Sequence, residues 1–291
     1  MFSAQLFLSQ LFNGLALGLL LALMSMGLTI VYGTLGVVNF AHGALFVVGG
    51  YVGYSVYALG GSFVAAMLAG AIGTFVIGLA LERILIRFFY NRPAEDQILV
   101  TFGVGIVLIE TIRSLYGGIS KTISLPSWGQ GVTNLGFMLY PTYRIELLAI
   151  SILILGLVWI LLYRTKLGLI VQAGVENMMM VNVLGINVRR VFLFVFGSGA
   201  AAAGLAGVLA SPILSLAPDM ASHILVLSFV VVVIGGIGSF GGAVLGGVAA
   251  GEILSLTSMV NPAYTDAMLF AAMALVLIFR PQGLLGTEGR N

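Results

Sequence analysis

A membrane-spanning helix needs about 20 consecutive, mostly apolar residues. This sequence supplies nine such stretches, at 8–32, 41–59, 62–82, 98–116, 145–163, 191–210, 223–240, 242–258 and 264–280. Several are short, and the pair around Gly235 to Gly242 is separated by almost nothing. That pair reads either as two helices or as one broken or re-entrant element. The expected architecture is an all-α, polytopic membrane helix bundle of eight to ten spans, forming a single domain over residues 1–291. Composition points the same way: 60% of the residues are hydrophobic and 8% are charged, against about 25% charged in a soluble domain. Most of the surface must therefore meet hydrocarbon. No basic residue precedes Arg83, so the first stretch lacks the leader of a secretory signal and is expected to stay as a span.

Several function classes are excluded early. The net charge of +2 is too small for nucleic-acid binding. Cysteine is absent, which removes disulfides and thiolate metal sites, and the two histidines, His42 and His223, have no metal-ligand spacing. The longest connections, of about 28 residues, are too short for a nucleotide-binding domain, and no G-x-x-x-x-G-K-[ST] loop is present. Any ATP used would be hydrolysed on another chain.

Orientation follows from the basic residues, which favour the cytoplasmic side. Arg83, Arg87 and Arg92 lie in the 83–97 connection, Arg164, Lys166, Arg189 and Arg190 in the 164–190 connection, and Arg280 and Arg290 in the tail. All three stretches fall on one side of the nine spans, which is expected to be cytoplasmic together with the C-terminus. Arg113, Lys121 and Arg144 flank or lie in the 117–144 connection, expected to be external, with Trp128, Tyr140 and Tyr143 as interfacial anchors.

Glycine is abundant, at 40 residues. It lets helices approach closely in lipid and tolerates breaks. Two Gly-rich breaks look alike: Tyr32 to Gly43, and Ile234 to Gly242. Each follows an apolar helix and combines clustered glycines with a polar residue and Phe, which reads either as a weak duplication or as two hairpin turns of similar composition. Gly238, Gly242, Gly246 and Ala250 recur at i+4, as do Gly247 and Gly251, giving a ridge of small residues. Asn39, Phe40, His42 and Gly43 place polar and breaking residues at a membrane edge, where each needs an internal hydrogen-bond partner. With Gly235 and Gly238 they are candidates for a specialised turn or a gate on a transport route.

An ionised group at the bilayer centre costs at least about 2.5 kcal/mol on insertion scales. Glu110 and Arg113 are spaced for an i,i+3 pair near the end of their span. Asp266 starts the last span, where the helix dipole favours it. Glu252 falls inside a span, and structural burial, cavity lining and proton coupling all remain open for it. A proton-driven carrier normally shows more than one carboxylate at depth, and no obvious second one is present.

In the 164–190 connection, Val171, Val175, Met179 and Val183 form an apolar stripe, and Gly185 stands where a helix would stop. A short helix lying along the membrane face is expected. It either plugs into a partner's cleft or merely joins two spans.

Gly27-Leu-Thr-Ile-Val-Tyr-Gly33 followed by Gly36-Val-Val-Asn-Phe-Ala-His-Gly43 resembles the signature near the start of branched-chain amino-acid ABC transporter permeases. Gln172 to Asn177 with Leu184-Gly-Ile-Asn187, Gly204 to Leu209, Gly235 to Gly242, and Phe279 to Leu284 follow in the family's order and cover most of the chain. Two departures stand out. Ala44 occupies a position where the family often has an acidic residue, and Met178, Met179 and Met180 make the coupling region unusually apolar. The resemblance implies an inner-membrane importer subunit with no cofactor of its own. It would pair with a second related permease, two cytoplasmic ATPases using ATP and Mg, and a periplasmic substrate-binding protein. It places Ala173, Glu176, Asn177, Gly185 and Asn187 in the ATPase-facing coupling region. Relatives of the family also import urea and short amides, so these substrates, and a proton-coupled carrier using Glu252, are the alternative readings.

Overall fold

The protein is described from a computed structural model covering residues 4–90, 92–176 and 178–286. Eleven α-helices are present among these residues: α1 (Ala4–Leu35), α2 (His42–Ala58), α3 (Phe63–Ile84), α4 (Ala94–Tyr116), α5 (Thr142–Arg164), α6 (Lys166–Glu176), α7 (Met178–Val183), α8 (Val188–Ala210), α9 (Met220–Gly235), α10 (Phe240–Val260) and α11 (Thr265–Phe279). All nine expected stretches are helical. Seven helical segments are long and apolar enough to cross a membrane, and α9 is a shorter apolar helix. The pair around Gly235 to Gly242 is two helices.

The packing order follows from side-chain size. In the most apolar part of α1, 83% of the residues are buried, against 11% for α4 and 6% for the α11 segment. Helix α1 is thus the axis of the bundle, and α4 and α11 present their apolar surfaces outward. Lipid tails are as apolar as leucine, so helices associate in a membrane through close van der Waals contact at small residues. The glycines of α10 form two ridges rather than one. Gly242 and Gly246 lie against Gly235 and Val231 of α9, whereas Gly247 and Gly251 lie against Gly14 and Gly18 of α1. A Cβ at Gly251 would stand 2.3 Å from the Gly14 carbonyl oxygen and 2.4 Å from the Gly18 Cα.

The two ends of the bundle differ in charge. Residues of 32–36, 237–239 and 281–286 meet Tyr90, Tyr163, Gly174 and Phe192 around one cavity. This is the basic end, which gathers Arg83, Arg87, Arg92, Arg164, Lys166, Arg189, Arg190 and Arg280 from the adjoining chain. The opposite end carries Arg113, which pairs with Glu110 and Asp219, together with Lys121 and Arg144. The 117–144 connection there includes a small antiparallel hairpin, Val132–Asn134 with Leu139–Pro141. Its turn uses Gly136 at φ +86°, with the Gly136 N–H donating to Asn134 Oδ1 at 2.8 Å.

Tyr140 and Tyr143 are not the interfacial anchors expected of them: each is only 2% exposed. Their hydroxyls find internal acceptors, Asn13 Oδ1 at 3.0 Å and the Leu209 carbonyl at 2.7 Å, so the rings are drawn into the bundle. Trp128 stays 41% exposed and packs edge-on against Phe63.

Gly251→Ala places its methyl against backbone atoms that cannot rotate away. It should lower the stability of the purified chain by about 1–3 kcal/mol, the usual range for overpacking, read as a lower unfolding midpoint in detergent. Gly156→Ala, with nothing within 4 Å of the added carbon, should leave the midpoint unchanged or raise it.

Candidate functional site

From Met24 to Leu35 the helix α1 descends about 16 Å toward the basic end at 1.5 Å per residue. The chain then leaves the helix at Gly36, φ +65°, and stays non-helical through Ala41. Yet His42 Nε2 lies 2.8 Å from the Met24 carbonyl oxygen. The segment has therefore climbed back up to mid-helix, which seven extended Cα steps of up to about 3.3 Å allow. Asn39, Phe40, His42 and Gly43 sit at depth inside the bundle, not at the membrane edge where the sequence pattern placed them. The reason is the excess length of α1, which carries the break below the level at which α2 begins.

At that depth polar groups can be matched only from within, and all the polar side chains of the segment find a partner except at His42 Nδ1, which has none among the described residues. The Asn39 side chain accepts from the Ala41 N–H at 3.0 Å. His42 Nε2 donates to Met24. The Phe40 N–H donates to Thr101 Oγ1 at 3.0 Å, and that hydroxyl lies 3.2 Å from the Val38 carbonyl. Gln97 Oε1 accepts from the Val38 N–H at 3.4 Å, while its amide donates to the Phe89 and Arg92 carbonyls at 3.1 and 3.2 Å. The Phe40 ring lies 5.0 Å from that of Phe229 on α9, and Gly43 packs on the Ala221 carbonyl and Leu225. The sequence signal for Gln97 and Thr101 is that they are the two polar residues, at i,i+4, within the apolar run 97–109 of α4.

The second break, 236–239, is a tight turn with Gly236 at φ +105° and Gly238 at φ +81°. Ser239 caps α10 by accepting from the Gly242 N–H at 3.1 Å. Beneath it the chain after α11 adds two bonds, Leu284 N–H to the Ile234 carbonyl and Leu285 N–H to the Gly235 carbonyl, each 2.9 Å. One break is thus a long climb and the other a four-residue turn, so their likeness is one of composition. They nevertheless meet: a Cβ on Gly33 would stand 3.1 Å from the Gly238 Cα. Gly238 lines the basic-end cavity of about 800 Å³. Gly235 is spent on the contact with Gly242.

A second cavity, of about 520 Å³, opens at the opposite end between α1, α5, α9, α10 and α11. Its floor is aliphatic, and its polar rim comes from Gln10, Asn13, Arg144, His223, Ser255 and Asp266. None of these stood out in the sequence as a path residue. The recoverable signals were amides at i,i+3 in the first span, Gln10 and Asn13, and serines at i,i+3 in α10, Ser255 and Ser258. Glu252 does not line this cavity. Its carboxyl lies over Gly14, whose missing side chain leaves the room, and Oε2 has no hydrogen-bond partner among the described residues.

The 164–190 connection is two helices, α6 and α7. The expected stripe is therefore corrected: Val171 and Val181 are buried but Val183 is 77% exposed. The buried positions therefore do not keep the i+4 spacing that the stripe presumed. The side chains of Val175, Glu176, Met178 and Met179, with the whole of Asn177, lie outside the described residues. Helix α6 turns back sharply on α5. A Cβ at Gly168 would stand 2.0 Å from the Leu162 carbonyl, to which Gln172 Nε2 donates at 3.2 Å. Gly174 abuts Val188 and Phe192 of α8. Ala173 is exposed. Gly185, φ +80°, ends the connection, and Asn187 caps α8 by accepting from the Arg190 N–H at 3.2 Å. Nearby, the Tyr90 hydroxyl donates to the buried Glu82 at 2.6 Å, and burial followed by that carboxylate pushes its pKa up.

Taken together, these features define a multi-pass helical membrane protein with a cavity at each end of a central helix and a helical elbow on its basic face. Residues 10–277 match the model of the branched-chain amino acid transport system permease component, and the chain belongs to that family. It is 32% identical to the high-affinity branched-chain amino acid transport system permease protein LivH of Salmonella typhimurium, over 96% of each chain. It is 30% identical to BraD, the corresponding permease protein of Pseudomonas aeruginosa, again over 96% of each. A probable branched-chain amino acid transport permease protein of Methanocaldococcus jannaschii is 28% identical over 94% of this chain and 90% of that one.

Thr101→Val removes the acceptor of the Phe40 N–H while keeping the side chain's shape. Leaving a buried donor unmatched costs about 1–3 kcal/mol, so the variant should unfold at lower denaturant than Thr111→Val, whose hydroxyl bonds only within its own exposed turn.

Proposed function

We propose that this chain is the membrane-spanning permease of an ATP-driven importer for branched-chain or similar apolar amino acids. It would work with a second related permease, two cytoplasmic ATPases that bind ATP and Mg, and a periplasmic binding protein that delivers the substrate. The observation that carries the reading is the pair of cavities along α1. The α1 residues lining one of them stop at Met24, and those lining the larger basic-end cavity begin at Tyr32. Between them sits the climbing segment, with Phe40 against Phe229 and His42 bonded to Met24. That is the layout alternating access requires: a path open at either end and closed by a movable layer in the middle.

The clustering of Lys and Arg at one end supports a cytoplasmic placement for that end, in the bacterial inner membrane, with the C-terminus inside. The elbow α6–α7 then faces the ATPases. It is anchored to α5 through Gly168 and to α8 through Gly174, so a push on it displaces two spans together. On its outer side Met180, Val183 and Leu184 are exposed apolar residues, a surface fit for a partner's cleft. The proton-coupled reading is weaker because Glu252 faces Gly14 instead of a cavity.

Reconstitution with and without the ATPases and binding protein tests the assignment. Leucine uptake should require all of them. Uptake by this chain alone, driven by a proton gradient, would overturn the importer reading. Val183→Asp with Leu184→Asp should leave the chain folded, cut uptake at least tenfold and uncouple ATP hydrolysis from transport. Normal coupling in that variant would remove α7 from the ATPase contact.

A further inference from the structure

We propose that Arg144 is the carboxylate-binding residue of a substrate site in the 520 Å³ cavity, with Asp266 receiving the ligand's ammonium group. The inference rests on the importer reading and adds to it the chemistry of recognition: a small zwitterion with an aliphatic side chain.

Arg144 lies in the first turn of α5, where the helix dipole disfavours a cation by roughly 0.3–1 kcal/mol. Among the described residues it pairs with no carboxylate. Its neighbours Asn13 and Tyr140 are uncharged, so they orient the guanidinium without neutralising it. Asn13 is itself fixed, because its amide donates to Gln10 Oε1 at 2.7 Å and Gln10 reaches the Ser255 carbonyl at 3.4 Å. An unneutralised cation at an unfavourable helix position, held from behind by a network of amides, keeps its charge available to an anion in the cavity it lines. Local rules broken in this way mark functional positions. The planar fork of arginine matches a carboxylate in two parallel hydrogen bonds.

The rest of the cavity supplies what an aliphatic amino acid would need. Leu17, Leu20, Leu21, Ile224, Leu227 and Leu254 form an apolar floor. Asp266 stands at the rim, and its only ion-pair partner among the described residues is His223 at 3.6 Å. A ligand ammonium can displace so loose a contact. The volume is within the range of about 300–1,000 Å³ typical of small-molecule sites. A mostly apolar wall with a few convergent polar groups is the usual composition of such sites.

The test is direct binding of radiolabelled leucine to the full chain in lipid nanodiscs, without a binding protein to impose its own selectivity. Leucinamide and 4-methylpentanoate serve as competitors lacking the carboxylate and the ammonium respectively. The wild type should bind leucine at least tenfold more tightly than either. Arg144→Gln should weaken leucine at least tenfold and abolish its advantage over leucinamide, while Asp266→Asn should abolish its advantage over 4-methylpentanoate. Should Arg144→Gln misfold, Arg144→Lys decides, since it keeps the charge but loses the fork: weaker binding with the preference over leucinamide retained supports the site, and unchanged affinity overturns it. Equal leucine affinity in Arg144→Gln and wild type also overturns it. So does a wild type that binds no leucine, and that result leaves the importer reading to the uptake assay above.

Discussion

Everything in this fold depends on one constraint: inside hydrocarbon, a backbone N–H or C=O must be matched by the protein itself, since no water is there to do it. Helices meet the constraint unaided. The stretch from Gly36 to Ala41 does not, and it can exist at depth only because α4 lends it the Gln97 amide and the Thr101 hydroxyl and because Asn39 folds back on it. That dependence ties α1, α2 and α4 together at the level of Met24. It also gives the middle of the bundle a layer of non-helical chain between two cavities. Such a layer is held by a handful of hydrogen bonds and a pair of phenyl rings, not by helix packing.

Around that layer the helices are brought close by the absence of side chains. Helix α1 offers Gly14 and Gly18 to α10, Gly27 to α8 and Gly33 to the turn at Gly238. A single helix thus contacts three neighbours through glycine at different heights. Such contacts give a tight fit with little directional bonding. The elbow of α6 and α7 works on the opposite principle. Its Gly168 and Gly174 seat it firmly on α5 and α8, while Val183 and Leu184 on its outer side stay exposed.

Charge is used sparingly and by position. Most Lys and Arg sit at one end. At the other end Arg113 is neutralised twice, by Glu110 and by Asp219, while Arg144 pairs with no carboxylate among the described residues. Two arginines near the same surface are thereby set apart, one paired with carboxylates and the other bonded to the uncharged Asn13.

The sequence by itself determined the solvent, the helices and the family. Runs of about 20 apolar residues admit no other reading, and nine of them were found as helices close to the bounds they imply. The need of Asn39 and His42 for internal partners was also legible, because burial of polar groups in lipid leaves no alternative. What the tertiary structure alone decided was depth and pairing. The sequence could not show that α1 overshoots and the chain climbs back, because that depends on where α1 sits relative to α4 and α9. Nor could it join Arg144 to Asn13, 131 positions away, or distinguish the α10 ridge that meets α9 from the one that meets α1. Periodicity reports which face of a helix is apolar or small; it carries no information about which neighbour, at what height, that face will touch.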